Sequence, residues 1–365
     1  MKRFLMLFMA VLLCGCMSTP DKTGAGTAAR SMQLDYATQF EVGYRDDGCA
    51  EIHIGDDHFL LVPEGQQPPE TDMTVIQQPV HDIYDAASSS LDLFDGLGRL
   101  DDVVLCSTKR DDWKLPAVRE AMDSGRLSYA GKYSSPDYER LTNCSLVIES
   151  TMIYHTPEVR EKIISLGIPV LVERSSYESH PLGRLEWIKL YGLILGIPDE
   201  AERYFDEKKK VLTGISSDKP EDERPRTAFF YIAPNGYVVI RKPGDYVSEM
   251  IRLAGGRYIF DDADLGFDEN ALSTANIQFE VFYRYASDAD ILIYNSTVDS
   301  DTDTIDEMIA KQPMLAELPA VKNGNVWVTE QNLFQQTTCA AEMISDISSV
   351  INGSEEDLTY LKKCG

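Results

Sequence analysis

The chain has 365 residues, 43% of them hydrophobic and 26% charged, with a formal net charge of -26. That length holds two ordinary domains rather than one. So acidic a chain lacks the basic patch through which a protein displaces counterions from nucleic acid, which excludes a nucleic-acid partner.

Residues 1–16 read as a targeting segment: Lys2 and Arg3, then an apolar stretch over 4–13 that is too short to span a bilayer. The segment ends Leu13-Cys14-Gly15-Cys16, which resembles the bacterial lipobox. That resemblance implies that Cys16 becomes the lipidated N-terminus. Residues 17–31, rich in Thr, Gly, Ala and Ser, read as a flexible tether. Five cysteines follow, Cys49, Cys106, Cys144, Cys339 and Cys364, an odd number whose spacing assigns no pairing and matches no zinc motif.

Short runs at 39–44, 49–54 and 58–62, separated by Asp/Gly turn signals, predict a β-meander. Alternation begins next: strand 74–78, helix 88–97, strand 103–107, helix 116–124, strand 146–150, helix 157–166 and strand 169–173. Apolar runs this short between helices favour a mostly parallel sheet covered on both faces.

The stretch 180–217 predicts two helices. In the first, Leu185, Ile188, Tyr191 and Leu195 recur at helical spacing. Pro198 suits the first turn of the second, which carries Ala201, Tyr204, Phe205, Val211, Leu212 and Ile215 on one face. The charged, Pro-broken stretch 218–225 marks a boundary. Beyond it come strands 227–232 and 238–241, helices 246–254 and 276–286, strand 290–294, helix 303–311, strand 326–329 and a helix over 339–351. The expected architecture is therefore α/β, with an N-terminal lobe over 32–197, a joining helix over 198–217, a C-terminal lobe over 226–365 and a ligand cleft between the lobes.

In open α/β sheets ligands bind beyond the carboxyl ends of the strands. The residues expected there are Tyr84, Arg110, Trp113, Tyr154, Arg174, Tyr177 and Arg184 in the first lobe, and Tyr237, Arg241 and Phe334 in the second. Aromatic walls with a few guanidinium groups suit a bulky, flat or anionic chelate. His81, His155 and His180 fall at strand-end loops of one lobe, the donor type a bare metal ion would take. No GxSxG elbow, Walker loop or HExxH appears, so no catalytic residue or cofactor is expected.

The segments GLGRLDDVVLCS from Gly96, LVIES from Leu146, KIISLGIPVLVE from Lys162 and HPLGRLEWIKLYGLILG from His180 form an ordered set. EMIRLAGGRYIFDD from Glu249, DADILIYN from Asp288 and LPAVKNGNVWV from Leu318 complete it. In order and spacing the set resembles the substrate-binding lipoproteins of ABC importers, within them the class for iron–siderophore, haem and cobalamin. The resemblance implies two Rossmann-like lobes joined by a single long interdomain helix, cargo held in the cleft and modest hinge motion. It also implies a monomer, lipid-anchored on the periplasmic or extracellular face of the cell membrane, working with a permease and a separate ATPase. By that family's pattern Glu139 and Glu280 would dock on the permease. The expected cargo is an iron chelate (siderophore), with haem or cobalamin as alternatives and a single His or Tyr154 as an axial iron ligand for haem. A bare zinc or manganese ion at His81, His155 and His180 is a further alternative. A chelatase-like enzyme acting on a metal tetrapyrrole, or a receptor that only senses its ligand, are the readings from other classes.

Overall fold

The computed structural model describes residues 30–215, 219–267 and 273–365. The signal segment with Cys16 and nearly all of the tether lie outside the described residues.

The meander forms from Glu41–Tyr44, Ala50–Ile54 and Asp57–Val62, with Arg30–Ser31 added at one edge. Strand alternation sorts its faces: Ala50, Ile52 and Ile54 are buried, while Glu51 and His53 between them are half-buried on the other side. Thr74–Gln77 is a strand as expected, but it joins the meander, running parallel to Asp57–Val62, and not the sheet of the first lobe.

The sheet of the first lobe is wholly parallel, in the order Val170–Glu173, Leu146–Ser150, Ile83–Asp85, Val103–Cys106, Ser128–Tyr129. Its central strand, Ile83–Asp85, corrects the expectation that Tyr84 lies in a strand-end loop. Three residues closed by an acid give no apolar run to read, and tertiary pairing makes them a strand.

In the second lobe Arg226–Ile232, Ile291–Tyr294 and Val326–Thr329 pair in parallel. Val238–Arg241 and Thr274–Ile277 extend one side antiparallel, and Leu361–Lys363 closes the other. The expected helix over 276–286 is thus divided: its first residues pair with Val238–Arg241, and the helix runs Phe279–Ala286.

The helix pair is present, Pro181–Ile194 followed by Pro198–Lys210. The second helix is shorter than the expected 198–217, ending on Lys208, Lys209 and Lys210, whose charges suit the negative pole of a helix. At the crossing of the two, a Cβ on Gly192 would stand 2.3 Å from that of Ala201, so glycine is what lets the backbones meet. The first helix is buried on nearly every side, with only Arg184 partly open. It touches the Leu91–Gly96 helix of the first lobe and the Tyr246–Leu253 and Ala340–Ile351 helices of the second. The earlier helix of the pair is therefore the axle between the lobes.

Two acids buried beside this axle hold the start of the described chain. Glu186 accepts the backbone N–H groups of Asp35, Tyr36 and Ala37 at 2.8–2.9 Å and pairs with Lys189 at 3.0 Å. Glu178 accepts from the amides of Thr38 and Gln39, the Thr38 hydroxyl and the Trp187 indole. Such charge-assisted bonds are the strong kind, and they leave neither carboxylate without partners.

Candidate functional site

The two lobes meet at the carboxyl ends of their strands through aromatic and cationic side chains. Arg184, in the first turn of the axle helix, places its guanidinium 4.1 Å from the ring centroid of Tyr246 in the second lobe. Tyr246 opens a helix capped by Asp245, whose carboxylate accepts the Val247 N–H. Arg241, at the end of Val238–Arg241, lies 5.7 Å from the same ring and 4.5 Å from that of Phe334. Asp245 stands 3.4 Å from Arg241. Among the described residues Arg184 has no carboxylate within ion-pair distance, although the chain is strongly acidic. Burial pushes the Tyr246 phenol up, so the ring stays a neutral wall. Arg184, Arg241 and Phe334 are thus brought together, and Tyr246 is the member that sequence reasoning left out. Its signal was its place directly after a capping Asp.

The crevice bounded by Pro181, Arg184, Tyr246, Met250 and Leu333 holds about 10 Å³ of space, room for roughly a single water. The lobes are closed on each other here. A clasp adds to this: Gln335 accepts the Lys114 N–H at 2.7 Å and donates to the Asp112 carbonyl at 3.0 Å. The Thr338 N–H meets the Asp92 carboxylate at 2.7 Å, and the Thr337 hydroxyl donates to the Ser89 carbonyl at 2.8 Å.

Other candidates group apart from this cluster. Arg174 lies 5.2 Å from the ring of Tyr177 and also borders the Gly55 turn of the meander. Tyr177 and Tyr154 are 39% and 44% exposed, large aromatic surface at the strand ends of the first lobe. Tyr237, 37% exposed, belongs to the second lobe. There, a concavity of about 660 Å³ is bordered by Tyr231, Ile232, Pro234, Val298 and Lys311.

Two candidates are not where the sequence reading put them, and a third is otherwise engaged. Tyr84 and Trp113 are both fully buried. Tyr84 sits in the central strand, and Trp113 turns its ring into the core while its indole N–H donates to the Thr108 carbonyl. Arg110 stays exposed but is held by Asp123 through two hydrogen bonds of 2.8 and 2.9 Å. The three histidines do not converge either. His81 faces Asp82, His155 is exposed, and His180 caps the axle helix by accepting the Leu182 N–H while stacking on Tyr36. Among the described residues no three His, Cys, Asp or Glu side chains are gathered for a metal ion.

Glu139 and Glu280 are both exposed, each the second residue of a short helix behind an aromatic, in Tyr138–Leu141 and Phe279–Ala286. Among the described residues neither carboxylate has a hydrogen-bond or ion-pair partner, although the Glu139 carbonyl accepts the Thr142 hydroxyl. The first-lobe sheet also carries buried acids. Burial raises Asp85 to about 8, although it accepts from the Ala87 N–H and the Ser90 hydroxyl. Burial raises Glu149 to about 9, and neither of its carboxyl oxygens has a partner.

A doubly lobed α/β fold, closed over a cationic and aromatic seam, defines a protein that captures a small molecule between its lobes. Residues 86–333 match the periplasmic binding protein family, and the chain belongs to it. Proteins of this family are the substrate-binding components of ABC importers. A lipoprotein of Methanocaldococcus jannaschii is 24% identical over 242 residues, 66% of this chain, which spans only 56% of that relative's length. A second lipoprotein of that organism is 24% identical over 90% of this chain and 86% of its own. The fold is that of the periplasmic haem-binding protein HutB of Vibrio cholerae, with a TM-score of 0.59 at 17% identity, over 74% of this chain and 98% of that one. The petrobactin-binding protein YclQ of Bacillus subtilis has a TM-score of 0.57 at 16% identity, over 76% of this chain and 93% of its own. No helix among the described residues is long and apolar enough to cross a membrane.

Proposed function

We propose that this protein captures an iron chelate outside the cytoplasm and hands it to an ABC permease, tethered to the membrane by lipid on Cys16. The observation that carries this reading is the seam of Arg184, Tyr246, Arg241 and Phe334, contributed by both lobes. Guanidinium groups donate charge-assisted hydrogen bonds to the oxygens of an anionic chelate, and aromatic rings cover its flat apolar faces. A cargo that engages Arg184 and Arg241 together bridges the lobes and stabilises one closed arrangement for docking. The concavity of the second lobe is of the size that small-molecule sites have, and exposed Tyr154 and Tyr177 offer stacking surface on the first. Glu139 and Glu280, exposed and unpaired, are the groups for basic pockets of the permease. Haem-binding and petrobactin-binding proteins share the fold, so a haem remains the second cargo for this reading.

The test is calorimetric titration of the full-length protein in detergent with a ferric hydroxamate, a ferric catecholate, haem, cyanocobalamin and Zn²⁺. Saturable binding of one iron chelate, with affinity lost in Arg184→Ala, supports the proposal. Binding of Zn²⁺ alone, or chelate binding indifferent to both Arg184→Ala and Arg241→Ala, sinks it.

A further inference from the structure

The five-stranded meander precedes the matched family segment of residues 86–333, and it carries a histidine pair that the cargo site does not use. Strands Ala50–Ile54 and Asp57–Val62 form a tight hairpin whose turn places Gly55 at φ +58°, and their register sets His53 directly opposite His58. Cross-strand partners on one face have Cβ atoms about 5 Å apart, close enough for two imidazoles to meet. Here they do: the two Nδ1 atoms stand 2.7 Å apart, with ring centroids at 4.5 Å and planes crossing at 80°. One ring must hold a proton for the other to accept, so the two Nδ1 positions face each other across the hairpin.

We propose that His53 and His58 form a divalent transition-metal site, taking copper(II) most tightly, with nickel(II) and zinc(II) as weaker occupants. Imidazole is the nitrogen donor these ions favour, and affinity at such sites rises toward copper. Metal–imidazole bonds of about 2.0–2.1 Å hold two cis nitrogens roughly 3 Å apart, so an ion seated to one side of the present hydrogen bond asks for a slight widening and a turn of both rings about their Cβ–Cγ bonds. The remaining positions go to water or to Glu41. That residue pairs with His53 across the neighbouring strand and is exposed.

The pair is also held in place. Asp57, adjacent to His58, pairs with Arg160 at 2.6 Å, and Gly55 abuts the Arg174 guanidinium. The hairpin tip is thereby fixed to the first lobe beside the Arg174–Tyr177 contact, at the strand-end side where cargo is expected. Two donors presented by a pinned hairpin lose little freedom on binding, which favours affinity.

The test is titration of the full-length protein in detergent with Cu²⁺, read by calorimetry and by electron paramagnetic resonance. One saturable site with affinity in the micromolar range is expected, its spectrum showing two nitrogen ligands. His53→Ala and His58→Ala should each weaken it by about tenfold or more, whereas His155→Ala leaves it unchanged. Circular dichroism confirms that each variant is folded, which these surface positions permit. Absence of saturable binding overturns the proposal. So does binding that survives both substitutions, or that depends on only one of the two histidines.

Discussion

The guanidinium of Arg184 lies 4.1 Å from the ring of Tyr246, joining the first turn of the axle helix to the first turn of a helix in the opposite lobe. A cation–π contact of this kind contributes on the order of 1 kcal/mol, more where water is excluded. Arg184→Ala should therefore weaken cargo binding by roughly tenfold or more, since it removes both the interlobe contact and a charged donor. Arg184→Lys should retain part of the affinity, because the charge stays while the planar fork is lost. Titrating both variants against one cargo ranks them, and equal affinities in wild type and Arg184→Ala would refute the assignment.

Gln335 clasps the backbone of the first lobe at two points, the Lys114 N–H and the Asp112 carbonyl. Gln335→Ala leaves the Lys114 amide without its acceptor, so its hydrogen exchange should accelerate by about tenfold. Amides within Leu146–Ser150 should keep their protection. Mass-spectrometric exchange on the two proteins reads both segments in one experiment.

Glu186 gathers three amides of the segment ahead of the meander, 149–151 residues away in sequence, together with Lys189. Glu186→Ala leaves those three amides without their acceptor, while Lys189 keeps Glu202 and the Gln33 carbonyl, so the cost is on the order of 1–3 kcal/mol. Thermal unfolding should show a clear fall in midpoint, and residues 35–37 should lose exchange protection. An unchanged midpoint would show that the segment is held by other contacts.

Glu149 is buried without partners and titrates at about 9 in the fold, while an unfolded Glu titrates near its ordinary value of about 4.3. Between those values the folded protein holds a proton that the unfolded chain releases, so stability falls as pH rises. Glu149→Gln removes that dependence. Denaturant unfolding between pH 5 and 8 should therefore lose stability less steeply in the variant, by about 1.4 kcal/mol per pH unit. Parallel curves for the two proteins would mean that Glu149 does not carry the proton.

The sequence showed most of the fold wherever an element declares itself by its own pattern. The helix pair was visible in the spacing of Leu185, Ile188 and Tyr191 and in Pro198 at the start of the second helix. What escaped was structure imposed from a distance. Ile83–Asp85 is too short to show a period, yet it is the centre of a sheet because strands on both sides pair with it. The same holds for Thr274–Ile277, whose residues become strand only through Val238–Arg241. Arg184, Arg241 and Phe334, which the strand-end rule singled out, do come together at the seam, since that rule depends only on topology. Trp113 misled because a large aromatic beside charged loop residues reads as a binding wall until the core behind it is known. The roles of Glu178 and Glu186 stayed invisible, since nothing local announces that their partners are backbone amides near residue 37.

Those two acids also decide where mechanical load goes. The chain beyond residue 39 toward the N-terminus is fastened through Glu178 and Glu186, at the start and on the body of the axle helix, with Lys209 of the following helix paired to Asp35. A pull on the N-terminal side would therefore be borne at the axle helix and not across the seam between the lobes. With the lipid anchor proposed above, the leash would run to the axle helix, and the force on it would bypass the seam between the lobes.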